Sequence, residues 1–318
     1  MKAASSFALR AESPARFARA CVDAIGGVER PAGAVLLLSG ALGQSIREVA
    51  AAFDRAPPGV PLLLAAGAGV LTDKGEIEGQ SAGAGLVWSG GEAAAFTLAS
   101  DEGSDLGAEL GKALASRAER ASATALVFAE PGSITARALS LLAVPEQLTL
   151  FGAGTSADSP IVAVAPDGRT SSGAVGAIVL RGPYRSIVRS SAACRLLMPL
   201  RRVSQIRGSM ILEIEGEPAL DVLKSVTADL QNQPLVFVAL ATEQASNASE
   251  RPELLIRGVQ GVDPGRAGVM VSDELRVGML LAFAVRDATA ARADLENVAR
   301  ELARETAGAA PKFGFYVN

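Results

Sequence analysis

The chain has 318 residues, 49% apolar and 20% charged, with a net charge of −4 and an isoelectric point near 5.2. That composition builds one or two folded domains and gives no basic footprint for nucleic acid. It contains no histidine and only two cysteines, Cys21 and Cys194, which excludes Ser-His-Asp and Cys-His catalysis, the common zinc sites, histidine-ligated haem, thiolate metal cages and iron–sulfur clusters.

Ser13-Pro14 opens a helix, with Phe17, Cys21 and Ile25 at helical spacing and Gly26-Gly27 as its stop. Cys21 on that stripe reads as core. AVLLLS from Ala34 is a buried strand, a helix follows over 44–55, and Pro57-Pro58-Gly59 breaks it. PLLLAA then runs into Gly67-Ala68-Gly69. GLVWSG and AAAFTLA read as neighbouring antiparallel strands joined at Gly90-Gly91. A helix over 105–120, the strand TALVFAE, a helix opened by Pro131-Gly132 and the strand QLTLFG lead to a second Gly-Ala-Gly at 152–154.

Beyond Arg181-Gly182 the strands lengthen. Leu197 to Ile206 and Ser209 to Glu215 read as a hairpin across Arg207-Gly208. Glu217-Pro218 opens a helix with Leu220, Leu223, Thr227 and Leu230 on one face. PLVFVALA, ELLIRGVQ, GVMVS and MLLAFAVRD read as strands. Asp287 caps a last helix striped by Leu295, Val298 and Leu302, with Glu296 and Arg300 paired outside it.

Continuous apolar strands alternating with helices imply an α/β protein of layered mixed β-sheets flanked by helices, in two domains, 1–188 and 189–318, with an internal β-α-β duplication in the first. The duplication is written in Leu62–Ser89 and Leu148–Gly182. Each is an apolar run, Gly-Ala-Gly, a polar excursion, a Ser/Gly step and a second apolar run. Gly67 aligns with Gly152 and Gly83 with Gly173.

The opening MKAASSFALRAESPARF carries four charges before any apolar run, and no window reaches the roughly 20 apolar residues that cross a bilayer. A cytoplasmic protein, away from membranes, is expected. Gly67-Ala68-Gly69 lacks the third glycine of a dinucleotide loop. Glu213, Glu215 and Glu217 read as a solvated face ahead of an acid/base pair, and Trp88 as core, close enough to the first glycine turn to report on a ligand there.

Gly67–Gly69 with Gly75-Glu76-Ile77, LFGAGTSAD with Asp167-Gly168-Arg169, ILEIEGEPALDVL, the run from Ile256 to Leu295 and the terminal FGFYVN resemble, in order and spacing, the FIST family (F-box and intracellular signal transduction). The resemblance implies a bacterial stand-alone member, with a FIST N-terminal domain and a C-terminal domain truncated at FYVN. It also implies a sensory module binding small molecules such as amino acids. Some relatives carry output domains, an F-box or haem; neither an output domain nor an F-box is expected here, there is no histidine for haem, and no cofactor is expected.

The leading expectation is a non-enzymatic sensor that captures an amino acid or small carboxylate at the glycine turns. The candidate ligand residues are Gly67, Gly69, Thr72 and Ser81 in the first turn and Gly152, Gly154, Thr155, Ser156 and Asp158 in the second. Arg195 or Arg286 would supply a cation for a carboxylate. The alternative for each glycine is that it only permits a tight turn. The two turns are expected on one side, facing the second domain; at opposite ends they would be a folding repeat alone. A signalling protein or a second copy of the chain is the expected macromolecular partner. The competing readings are an interaction scaffold acting through second-domain strand edges, and a hydrolase using Ser81 or Thr155.

Overall fold

The computed structural model describes residues 4–9 by their backbone, and residues 13–73, 75–100, 105–118, 122–135, 138–139, 142, 145–156, 159–182, 185–230, 235–241, 254–273 and 275–317 in full. The chain divides into two compact units, Met1–Val188 with Ala310–Asn318, and Arg189–Ala309. The terminal FGFYVN, assigned from sequence to the second domain, therefore belongs with the first unit.

The first unit is two copies of one motif. β1 (Ala4–Leu9), α1 (Pro14–Gly26), β2 (Pro31–Ser39), α2 (Gly40–Gln44), α3 (Ile46–Ala52), β3 (Leu62–Ala66), β4 (Gly69–Thr72), β5 (Gly75–Glu78) and β6 (Ala82–Ser89) form the first copy. β7 (Glu92–Leu98), α4 (Leu106–Ala118), β8 (Ala123–Ala129), β9 (Leu148–Gly154), β10 (Ile161–Val164), β11 (Thr170–Gly173) and β12 (Val175–Arg181) belong to the second. The strands take the same order in each, β1-β6-β2-β3 and β7-β12-β8-β9. The pairs β2–β3 and β8–β9 are parallel and the rest antiparallel. β10 leaves its own copy and pairs with β3, which makes the first sheet six-stranded. The β4–β5 hairpin instead folds over Leu37, Ala82 and Ala84 through Val70 and Ile77.

Three local expectations change. β6 and β7 are not partners but lie in different sheets. Gly90 and Gly91, with φ of 84° and 70°, carry the chain from one sheet to the other, a left-handed path that glycine takes without strain. The single helix expected over 44–55 is two short ones broken at Ser45. The helix expected from Pro131-Gly132 starts as a turn, and residues 136–137 and 140–141 lie outside the described residues.

The central strands of both sheets are buried on both faces. Leu36, Leu38, Leu62 and Leu64 pack outward on Phe17, Cys21 and Ile25 of α1 and on Ile46 and Val49 of α3. Val35, Leu63, Leu86 and Trp88 face inward toward Leu126, Phe128, Ile178 and Leu180 of the second sheet. Leu106, Leu110 and Leu114 of α4 cover the outer face of that sheet. The layers run helix, sheet, sheet, helix, which is why the strands read as unbroken apolar runs. Each such side chain contributes about 1.5–3 kcal/mol by leaving water. The terminal segment joins the inner layer. Phe313, Phe315 and Val317 turn inward alternately, with Phe313 stacked on Trp88 (centroids 5.9 Å apart) and Phe315 tilted on Phe151 (6.2 Å).

The second unit holds β13 (Arg195–Leu196), β14 (Arg201–Arg207), β15 (Met210–Ile214), β16 (Glu217–Pro218), α5 (Ala219–Thr227), β17 (Val236–Ala241), β18 (Leu254–Asp263), β19 (Gly268–Val271), β20 (Leu280–Val285) and α6 (Ala288–Glu305). The hairpin across Gly208 forms as expected. The strands do not stack in layers here. Their order β20-β14-β15-β19-β18-β17 closes through a β17–β20 pairing into a six-stranded barrel. Leu220 and Val222 of α5 enter its core beside Ile211, Leu240 and Phe283. Closure removes the long free edges on which a strand-addition scaffold would rely. No helix among the described residues is long and apolar enough to cross a membrane.

Candidate functional site

The carboxyl ends of the parallel strands β2, β3 and β8 meet in one continuous band. Gly67 N–H donates to Leu38 C=O at 2.9 Å, and Ser156 N–H donates to Ala66 C=O at 3.0 Å. Thr155 N–H donates to Ala129 C=O at 2.9 Å. The exit of the first Gly-Ala-Gly and the residues after the second therefore lie side by side at one end of the first unit. The crevice beyond the carboxyl ends of parallel strands is where α/β sheets bind ligands.

The band has a buried hydroxyl that sequence reasoning missed. Ser39, fully buried at the end of β2, donates to the carbonyls of Gln80 (3.0 Å) and Ala82 (3.4 Å). Gly40 follows at φ 57°, and a Cβ there would lie 2.7 Å from the backbone of Gln80. Ser81 Oγ accepts from Leu42 N–H at 3.2 Å. Ser39 thus locks the start of β6 against the end of β2, and Ser81 ties the residue before β6 to α2. The signal available in the sequence was a lone hydroxyl closing an apolar strand just before a glycine.

The two Gly-Ala-Gly segments are not equivalent in register. Leu38 opposes Ala66 in the first copy as Ala129 opposes Gly154 in the second. Gly67 therefore corresponds to Thr155, not Gly152, and Gly83 to Val175, not Gly173. Gly152-Ala153-Gly154 is the end of β9 and not a turn. A Cβ on Gly152 would collide with the Val127 carbonyl, and one on Gly173 with that of Leu98. These glycines serve close strand contact. Gly69 is also packed, its Cβ position 2.9 Å from Glu78 Cγ. Gly67 is different: the nearest atom to its Cβ position is the Gly69 carbonyl at 3.5 Å, so its freedom is not consumed by packing.

The remaining candidates separate. Thr72 sits at the tip of the β4–β5 hairpin opposite Gly75, three residues along the ribbon from Gly69. Thr155 is buried, its hydroxyl 3.5 Å from the carbonyls of Ala129 and Ser159. Asp158 lies outside the described residues. Trp88 lies at the far end of β6 from Ser81, opposite Gly33, and so does not report on the glycine exit. Its Nε1 is buried without a hydrogen-bond partner among the described residues.

Arg195 and Arg286 belong to the second unit, where both flank the end of β20. Arg195 pairs with Asp287 at 3.5 Å. Arg286 lies over the Phe237 ring at 5.2 Å rather than pairing with Asp287. Asp287 caps α6, accepting from Ala290 N–H at 2.7 Å. The acidic run resolves into a charge cluster: Arg201 bridges Glu215 (2.8 Å) and Glu217 (2.9 Å). The Arg201 guanidinium and the Arg202 N–H hold the Glu215 carboxyl below its ordinary value. Arg300 reaches the Glu296 carbonyl and Asn297 Oδ1.

Residues 33–217, more than half of the chain, match the FIST N domain. An uncharacterized protein of Mycobacterium tuberculosis (strain CDC 1551 / Oshkosh) is 29% identical over 143 residues, covering 43% of this chain and 37% of that protein. An uncharacterized Mycobacterium bovis protein is 28% identical over 145 residues, 42% of this chain and 38% of its own length. The chain spans under two fifths of the length of these curated relatives.

Proposed function

Because this chain belongs to the FIST family, whose N domain is a sensory domain of signal transduction, we propose that it is a cytoplasmic, non-enzymatic ligand-binding module. In this reading an amino acid or small carboxylate is captured beyond the carboxyl ends of β2, β3 and β8. Gly67 and Ser156 make first contact, with Ser81 and Thr155 holding the walls. The supporting observation is the Ser156-to-Ala66 hydrogen bond, which sets the exits of both copies against each other at 3.0 Å. Gly67 adds an approach to backbone that a side chain would obstruct. Gly69, Gly152 and Gly154 shape the strands behind the contact, and Thr72 and Asp158 remain candidates on the flanking loops.

Arg195 and Arg286 are kept as candidate cations of the second unit, each tested by its own alanine variant. The hydrolase reading loses ground, because the hydroxyls of Ser81 and Thr155 are engaged with backbone atoms. Ligand binding would act by favouring one of two conformations or partner states, which requires different affinity for each.

The test is calorimetry and thermal shift of the full chain against the amino acids and small carboxylates. Saturable binding weakened by Ser156→Ala is expected. No response from folded protein to any of them rules the proposal out.

A further inference from the structure

The amino ends of β8 and β9, six residues and so about 20 Å along the strands from the glycine exit, border a half-open pocket of about 280 Å³. It is lined by Ser122, Thr124, Gln147, Thr149, Arg185 and Ser186, over a floor that includes Leu180. The first sheet holds a directly opposed glycine–tryptophan pair, Gly33 and Trp88, in which the indole leaves no room: a Cβ on Gly33 would lie 2.7 Å from Cζ2 of the ring. In the second sheet Thr124 directly opposes Leu180, and the space beside that pair is open.

The lining differs from a simple packing defect. Thr124 and Thr149, half-buried, point to the same face as the buried Leu126 and Phe128 and the half-buried Phe151, where unpaired hydroxyls cost free energy. Thr124 Oγ1 and Ser186 Oγ are hydrogen-bonded to each other. Whichever donates, one O–H of the pair is left to donate outward, polarised by its neighbour. Arg185 adds a full positive charge, and the described lining contains no carboxylate.

We propose that this cavity is a second ligand site, for a small oxyanion, with Arg185 as its charge partner and Thr124, Thr149, Ser122 and Gln147 as hydrogen-bonding groups. A carboxylate metabolite and a phosphate present the same acceptors to this lining, and their sizes suit the space.

The test titrates the full chain calorimetrically with inorganic phosphate, malonate and L-glutamate, which separates the two sources. Three variants accompany it: Arg185→Gln, Ser156→Ala, and the double variant Leu180→Trp with Thr124→Gly. The double variant places the glycine–tryptophan pair of the first sheet at this opposed pair, to fill the space. Saturable binding of at least one probe is expected, weakened about tenfold or more by Arg185→Gln, since a charge-assisted pair is worth that much. The double variant should abolish the phosphate response with the melting temperature preserved, and Ser156→Ala should leave the phosphate response intact. Absence of saturable binding for all three probes overturns the proposal, as does binding that survives both Arg185→Gln and the filled slot. Binding lost only in Ser156→Ala would instead support the glycine-exit site and reject this one.

Discussion

Removing the Phe313 ring should loosen the terminal segment from the inner layer, and the sole tryptophan will report it. Phe313 is half-buried, stacked on Trp88 at 5.9 Å with planes 29° apart, and edge-on to Phe315 at 6.3 Å. A phenylalanine buries about 150–250 Å² when enclosed; half of that, near 100 Å², corresponds to about 2.5 kcal/mol at ~25 cal/mol per Å². The ring pairs add about 1 kcal/mol. Phe313→Ala should therefore weaken docking of the segment by roughly 3–4 kcal/mol. Trp88 is fully buried, so the native emission should be that of an apolar site. In the variant it should shift to the red and become accessible to acrylamide, and the urea midpoint should fall. An unchanged spectrum together with a loss under about 0.5 kcal/mol would refute the packing derived for this segment.

Gly152→Ala should destabilise by about 3 kcal/mol or prevent folding, because its methyl meets the Val127 carbonyl. Gly67→Ala, with nothing nearer than 3.5 Å, should change stability by under about 1 kcal/mol; equal losses on thermal melting would undo the distinction. In native protein a thiol reagent should modify Cys194 and spare Cys21, whose thiol is buried and raised by desolvation; rapid titration of both would contradict the burial. Glu215 is held below the ordinary carboxylate range, so its small contribution to stability is present above that range and is lost as pH falls through its folded value. Arg201→Ala should raise the Glu215 pKa toward normal in an NMR titration, and no movement would break the assignment of Arg201 as its partner.

The layered half was legible because its strands are buried on both faces, so AVLLLS and PLLLAA carry their own signal, and Ser13-Pro14 marked α1 directly. The repeat was legible too, yet its register was not. Gly67 and Gly152 look alike in sequence, but one leaves a strand while the other makes room for Val127, and only hydrogen-bond register separates those demands. Gly90-Gly91 misled for a related reason: two left-handed glycines turn a chain within one sheet or between two. Barrel closure depends on β17 meeting β20, some 40 residues later, and no local pattern encodes it. Of the candidate site, Gly67, Ser81, Thr155 and Ser156 were named from sequence. Ser39 was missed because a strand-ending serine looks the same whether or not its hydroxyl is buried.

The most direct test of the sensory reading is amide chemical-shift mapping of the full chain titrated with the amino acids and small carboxylates. The account predicts saturable shifts centred on Gly67, Ser81, Thr155 and Ser156 for at least one of them. Shifts centred elsewhere for every binder, or none across the series, would contradict it.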